Sequence, residues 1–274
     1  SSPEAGEVRA AEETYGTGTA GEAFARRTGV TPPPGALLVM DWPRVLKNNA
    51  ALPMVLGPGT FGATMAEGGV RVAVLGNADT PAGLGREIAL AAMDNAGIVP
   101  RGEVGAGLYR ANPLRPWGIE TDYRRLHAAL IELLPEVDCL FVELGDSARV
   151  EKYREYLLSG RREEYRRQAL AAADRFLGEL LAGIDLERTV LLLVTPYPSR
   201  DAVDQGDTLT PVLAVGPGFQ QGLLFSSSTR QPGIITFSDL AATLFAAFAI
   251  KPPAGLPGRP LTWVPEDSPG QALA

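Results

Sequence analysis

Three aspartates follow apolar runs in this chain: Asp79 in "GNADT", Asp94 in "MDNAG" and Asp146 in "GDSAR". A carboxylate at the end of a strand can coordinate a hard or borderline cation. It can equally close an Asx turn or cap a helix by accepting local backbone N–H bonds. Taken singly, each residue favours the local role. Three at one sheet edge would form a shared polar cleft, and Asp79, Asp94 and Asp146 are its candidate metal ligands. Asn77, Thr195 and Tyr197 are candidates to line it, and Asp204 and Asp207 offer further oxygens. No cofactor is expected. The alternative is Mg2+ or Mn2+, because hard cations accept all-oxygen shells.

The other reactive residue types are scarce. His127 is the only histidine, and it sits in a helical pattern beside arginines. Any Ser-His-Asp triad would have to use it, and a zinc site with two or three imidazoles is impossible within one chain. Cys139 is the only cysteine. It lies in an apolar run and reads as a packed thiol. Gly57-Pro58-Gly59-Thr60-Phe61-Gly62 matches the dinucleotide string G-x-G-x-x-G, with Asp79 downstream. Pro58 removes an N–H that a pyrophosphate would need, and Pro53 interrupts the run before it, so a turn into a short helix is the better reading. "FSSSTRQPG" (225–233) is a polar loop with no nucleophile elbow.

The elements that must position these residues follow from apolar periodicity. Strands are expected at 36–41, 70–77, 138–146, in "TVLLLVTP" and in "LTPVLAVGPGF". "EIALAAMDNAGIVPRGEVG" reads as a strand, a turn at 95–97 and a second extended piece. Helices are expected around 21–27, over 60–67, and in "TDYRRLHAALIELLPEV" with Thr121 or Asp122 as N-cap. A long one is expected over 151–182, and another in "SDLAATLFAAFAI" capped by Ser238. "WPRVLKNNAALP" suggests a short helix and a turn. The charges of "RREEYRRQALAAADRFLGELL" recur at three- and four-residue spacing. That is a solvated face with ion pairs, with an arginine-lined anion site as the second reading. Alternating strands and helices, with strands that are near-continuous apolar runs, belong to a parallel sheet covered on both faces. Ligands of such sheets sit beyond the carboxyl ends of strands.

Composition narrows the function classes. The chain has 274 residues, 45% hydrophobic and 21% charged, enough for a sizeable core. Its net charge of −7 argues against a nucleic-acid surface. No apolar run approaches the ~20 residues of a membrane span. Residues 1–35 read as an N-terminal extension ending in the connector "TPPPG". Residues 36–262 read as the main domain, and 263–274 as a frayed tail. The opening "SSPEAGE", without initiator Met or signal peptide, fits a processed or trimmed chain.

"LTPVLAVGPGF", "SSSTRQPGIITFSDLAATLFAAFAI" and "PPAGLPGRPL" together resemble the C-terminal part of the alkaline phosphatase superfamily. The helix opening Asp239, Ala242, Thr243 and the tail 252–261 carry the likeness. "VDCLFVELGDSARVEKY" is similar to the strand that ends in a metal-binding Asp, here Asp146. "RVAVLGNADT" is similar to a strand and loop of bacterial envelope-associated members. The resemblance spans roughly 36–262. It implies a three-layer αβα sandwich with a mostly parallel central sheet, lacking its first strand. It also implies a two-metal ester-cleaving site with a Ser or Thr nucleophile, and an extracytoplasmic or envelope location. The ligand pattern departs from the family: Val150 stands where a His is expected. "TPYPS" lacks the Asp-His pair, and 201–210 lacks the later His. The expectation is therefore a degenerate domain whose cleft binds a small anionic ligand or a protein partner. A Mg2+- or Mn2+-dependent phosphoester or sulfoester hydrolase, with its nucleophile upstream of Ser1, is the enzymatic alternative. A cell-envelope interaction module is the third.

Overall fold

A computed structural model describes residues 7–50 and 56–273. The end of "WPRVLKNNAALP", where a turn is expected, and the opening residues 1–6 lie outside this range. The described chain is mixed α/β, 39% helix and 19% strand. It forms two compact units, residues 1–176 and 177–274.

In the first unit, Val72–Asn77 is the middle strand of a parallel sheet, between Cys139–Leu144 and Gly102–Glu103. All six residues of Val72–Asn77 are buried, which explains why this strand reads as a continuous apolar run and does not alternate. A second sheet is antiparallel, with Leu37–Val39 between Val8–Ala10 and Ile98–Val99. Phe24, Leu38, Met65, Leu75 and Leu126 are among the fully buried side chains that fill the core. The helix Ala20–Thr28 opens with a capping box between Thr19 and Glu22 and stops at Gly29 in the left-handed region. The helix Tyr123–Leu133 is capped by Asp122, whose carboxylate accepts the Arg125 N–H.

The second unit contains two antiparallel pairs, Leu191–Val194 with Val212–Val215 and Gly222–Phe225 with Thr262–Pro265. Its helix Phe237–Ala247 is fixed by Asp239, which is fully buried. Asp239 Oδ1 accepts from Ser228 Oγ at 2.6 Å and from the Arg259 N–H at 2.8 Å. Its Oδ2 accepts the Thr236 N–H at 2.8 Å. One carboxylate thus ties the 226–236 loop, the helix start and the 258–262 segment together. Asp239→Ala leaves three donors without this acceptor and is expected to cost about 3 kcal/mol. Hydrogen exchange would show it as faster exchange confined to 222–265; unchanged protection there would contradict this role.

Several sequence expectations need correction. The strand pairing gives six small sheets, of which only one is parallel, and no large parallel sheet appears among the described residues. Within the expected N-terminal extension, residues 8–10 pair with Leu37–Val39. The start of the tail is not frayed, since Thr262–Pro265 is a strand. Ala89–Ala92 is a short helix, as its alanines favour helix and offer a ladder little to pack. The long helix is split into Asp146–Lys152 and Ser159–Gly183. The break lets Tyr153 and Leu157 turn onto the cluster of Trp117, Val150 and Tyr165. Leu191–Val194 is half-buried, with one strand neighbour. Thr236, not Ser238, is the cap of Phe237–Ala247, because Asp239 reaches back to its N–H.

Candidate functional site

The two long parallel strands end in matching sequences, "VLGNAD" and "VELGDS". Each glycine is required by a close approach. A Cβ on Gly145 would lie 2.0 Å from the Asn77 carbonyl oxygen. Gly76 has φ of +103°, and a Cβ there would lie 2.3 Å from the Glu143 carbonyl oxygen. The bare backbones bring Asn77, Asp79 and Asp146 to one edge of the sheet, where all three side chains are buried.

Arg149 is the centre of this edge. It lies one turn after Asp146 on the helix Asp146–Lys152 and is completely buried. Its Nε donates to the Asp79 carbonyl at 2.8 Å. Nη1 donates to Thr121 Oγ1 at 2.8 Å and to Asp146 Oδ1 at 2.9 Å. Nη2 donates to the carbonyl and to Oδ1 of Asn77, at 3.0 and 2.9 Å. These five bonds use all five N–H donors of a guanidinium. Burying the charge is costly, and the cost is offset only because each donor has an acceptor and Asp146 supplies the counter-charge.

Asp146 and Asp79 are equally committed. Asp146 Oδ1 also accepts the Thr121 N–H at 3.0 Å, and the Tyr123 hydroxyl bonds to the same carboxylate. Burial, then the charge of Asp146, pushes the Tyr123 hydroxyl pKa up, so it stays a donor. Asp79 faces a second guanidinium, that of Arg86, through Nε to Oδ1 and Oδ2 and Nη2 to Oδ2 at 2.9 Å. The Gly85 N–H adds a bond to Oδ1 at 2.8 Å. Arg86 passes the chain of charges on to Glu13, at 2.7 Å. Asn77 Nδ2 donates to the Val104 and Gly105 carbonyls, and Lys152 Nζ donates to the Ala78 carbonyl at 3.1 Å.

The other candidates have local roles or belong to the second unit. Asp94 closes an Asx turn, its Oδ1 accepting from Ala96 and Ile98 N–H. Thr195 and Tyr197 lie in the second unit, and Tyr197 is exposed. "TPYPS" leads into the helix Arg200–Asp204, with Ser199 as its cap. Asp207 accepts the Leu209 N–H in a local turn. His127 packs edge-on against Phe176. Burial, with the nearby charge of Asp138, pushes the Cys139 thiol up to about 12, so it is no ready nucleophile. Gly59 and Gly62 of the G-x-G-x-x-G string pack against the 92–95 backbone, where a Cβ would collide with carbonyl oxygens.

A divalent cation does not fit this donor set. Metal ligands must aim free lone pairs at one point, whereas the carboxylates of Asp79 and Asp146 each face a guanidinium. Among the described residues no group of three or more His, Cys, Asp or Glu side chains is placed to hold a metal ion. An all-carboxylate Mg2+ or Mn2+ shell would first have to expel Arg149 or Arg86.

Arg149, Arg86 and Glu143 carry no plain mark in the sequence, and Thr121 shows there only as a candidate helix cap. The one local signal was Arg149, three residues after Asp146 at a spacing that places both on one helix face. Glu143 is the only acid inside the strand Cys139–Leu144, and its Oε2 is buried without a hydrogen-bond partner. Burial, and then the charge of Glu87, pushes its pKa up to about 7, against the opposing pull of Lys152 and Arg149. No helix among the described residues is long and apolar enough to cross a membrane. No protein-family model, no curated protein and no solved structure matches this chain.

Proposed function

We propose that the chain is a degenerate alkaline-phosphatase-like domain, a three-layer α/β sandwich in family terms, that binds a ligand or partner and does not cleave esters. The observation that carries this reading is Arg149. Its guanidinium takes up Asp146, Asn77 and Thr121 at the carboxyl ends of two parallel strands, where such a fold does its chemistry. The positive charge that a two-metal enzyme borrows from its ions is built into this chain as arginine. Arginine can balance a carboxylate, but it cannot supply a metal-activated nucleophile or a Lewis acid. The resemblance of residues 36–262 supports the family, and the carboxylate–guanidinium pairs support the loss of hydrolysis.

The test is hydrolysis of p-nitrophenyl phosphate and bis-(p-nitrophenyl) phosphate by the full-length protein with Mg2+, Mn2+ or Zn2+. The expected result is no turnover above the metal–buffer rate. Turnover that Asp146→Ala abolishes would overturn the proposal and restore the hydrolase reading.

A further inference from the structure

The hairpin Tyr109–Ala111 with Ile119–Thr121 carries the loop 112–117. This loop faces the first turns of the helix Ser159–Gly183 across a cavity of about 290 Å³. Arg161, Glu164, Tyr165 and Gln168 line one side, and their spacing of three, four and seven residues puts them on one helical face. Arg115 and Leu114 line the other. The volume lies just below the usual range for drug-sized ligands, so the site suits only a small one.

We propose that this cavity binds a small organic oxyanion, with its carboxylate or phosphate group held between Arg115 and Arg161. Both guanidiniums lie over the same Tyr165 ring, at 5.9 Å and 5.0 Å from its centroid. That ring is buried and wedged against Trp117, 5.7 Å away. The ring that both guanidiniums approach is therefore held in place by packing. Arg115 is pre-oriented as well: its Nε donates to Glu120 and its Nη1 to Gln168. Its Nη2 makes no bond to the described residues, which leaves the N–H groups of that nitrogen for a ligand. Arg161 Nη2 donates to the Tyr165 hydroxyl at 2.9 Å, and Nη1 pairs with Glu164.

Charge agrees with this. Arg110 and Arg115 share Glu120, and Arg161 pairs with Glu164. Three guanidiniums against two carboxylates leave one positive charge, on a chain of net −7. A planar fork matches the two oxygens of a carboxylate or phosphate. Leu114, 81% exposed at the rim, gives the organic body an apolar contact. The site is separate from the Arg149 network and does not depend on the family reading.

The test is calorimetric titration of the full chain, at low ionic strength, with phenyl phosphate, benzoate and the neutral control phenol. Saturable binding of either anion without binding of phenol is expected, and the stronger of the two identifies the preferred oxyanion. Arg161→Gln should weaken that binding about tenfold, the scale of one charged hydrogen bond. Glu164→Gln removes the competing carboxylate and should tighten it. These opposite shifts distinguish binding from a folding defect, since Arg161 is exposed and Glu164 half-buried, and neither fills the core. No saturable binding of either anion, or the same affinity in both variants, would overturn the proposal.

Discussion

Replacing Arg149 with methionine is expected to destabilise the first unit by about 3–5 kcal/mol, the range for removing one member of a buried ion pair. The size follows from what is left behind. Asp146 keeps its charge in a buried place, with the Thr121 N–H and the Tyr123 hydroxyl as its remaining donors. Asn77 Oδ1 and the carbonyls of Asn77 and Asp79 each lose a donor too. Lysine would not rescue the site, because a single ammonium cannot reach acceptors spread over a planar fork. The companion change Asp146→Asn should return part of the loss, since it removes the uncompensated charge. Urea unfolding followed by circular dichroism measures all three variants. A loss below about 1 kcal/mol for Arg149→Met would mean that the network adds little to the fold.

Glu143→Gln is expected to act in the opposite direction, and only at higher pH. In the unfolded chain this carboxyl releases its proton near the ordinary value of 4.5, and in the folded protein near 7. Between those values the folded state holds a proton that the unfolded state has lost. The contribution of Glu143 to stability is therefore full below about pH 4.5, falls as the pH rises to about 7, and is level above that. The span corresponds to about 3 kcal/mol as an upper value. Glutamine imitates the protonated acid, so the variant should match the wild type near pH 4.5 and exceed it at pH 8. The charged groups around Glu143 are Glu87, Asp79, Lys152 and Arg149. Asp138, held down to about 2 by hydrogen bonds from Arg71, affects stability only in a more acid range. Thermal melts at pH 5 and pH 8 decide the matter. A variant less stable than the wild type at pH 8 would contradict the assignment.

The strands that build the site were legible because each opens on an unbroken apolar run. The apolar runs "VAVLG" and "CLFV" open two neighbouring parallel strands. The helix over Thr60–Glu67 was legible to the residue, because the glycines on either side delimit it. Placing Asp79 and Asp146 at one sheet edge was also within reach, since each follows its strand by two residues. Their partners were not. Thr121 and Asn77 reach Arg149 across 28 and 72 positions of sequence, and no local pattern encodes such a pairing. Arg86 looks like a loop cation until the chain folds it onto Asp79. The same limit explains the error over sheet type. Leu191–Val194 carries the apolar run of a buried parallel strand, yet its neighbour Val212–Val215 runs antiparallel to it. Hydrophobicity reports burial, and it does not report which strand comes alongside.

On the proposed family reading, guanidiniums stand against the carboxylates at the positions where an alkaline-phosphatase-like enzyme would hold metal ions. Crystals grown in Zn2+ and Mn2+, with anomalous maps at both edges, test it most directly. The expected result is Arg149 in contact with Asp146 and Asn77, Arg86 in contact with Asp79, and no anomalous peak at either aspartate. A metal ion ligated by Asp146, with the Arg149 side chain swung away, would contradict the account.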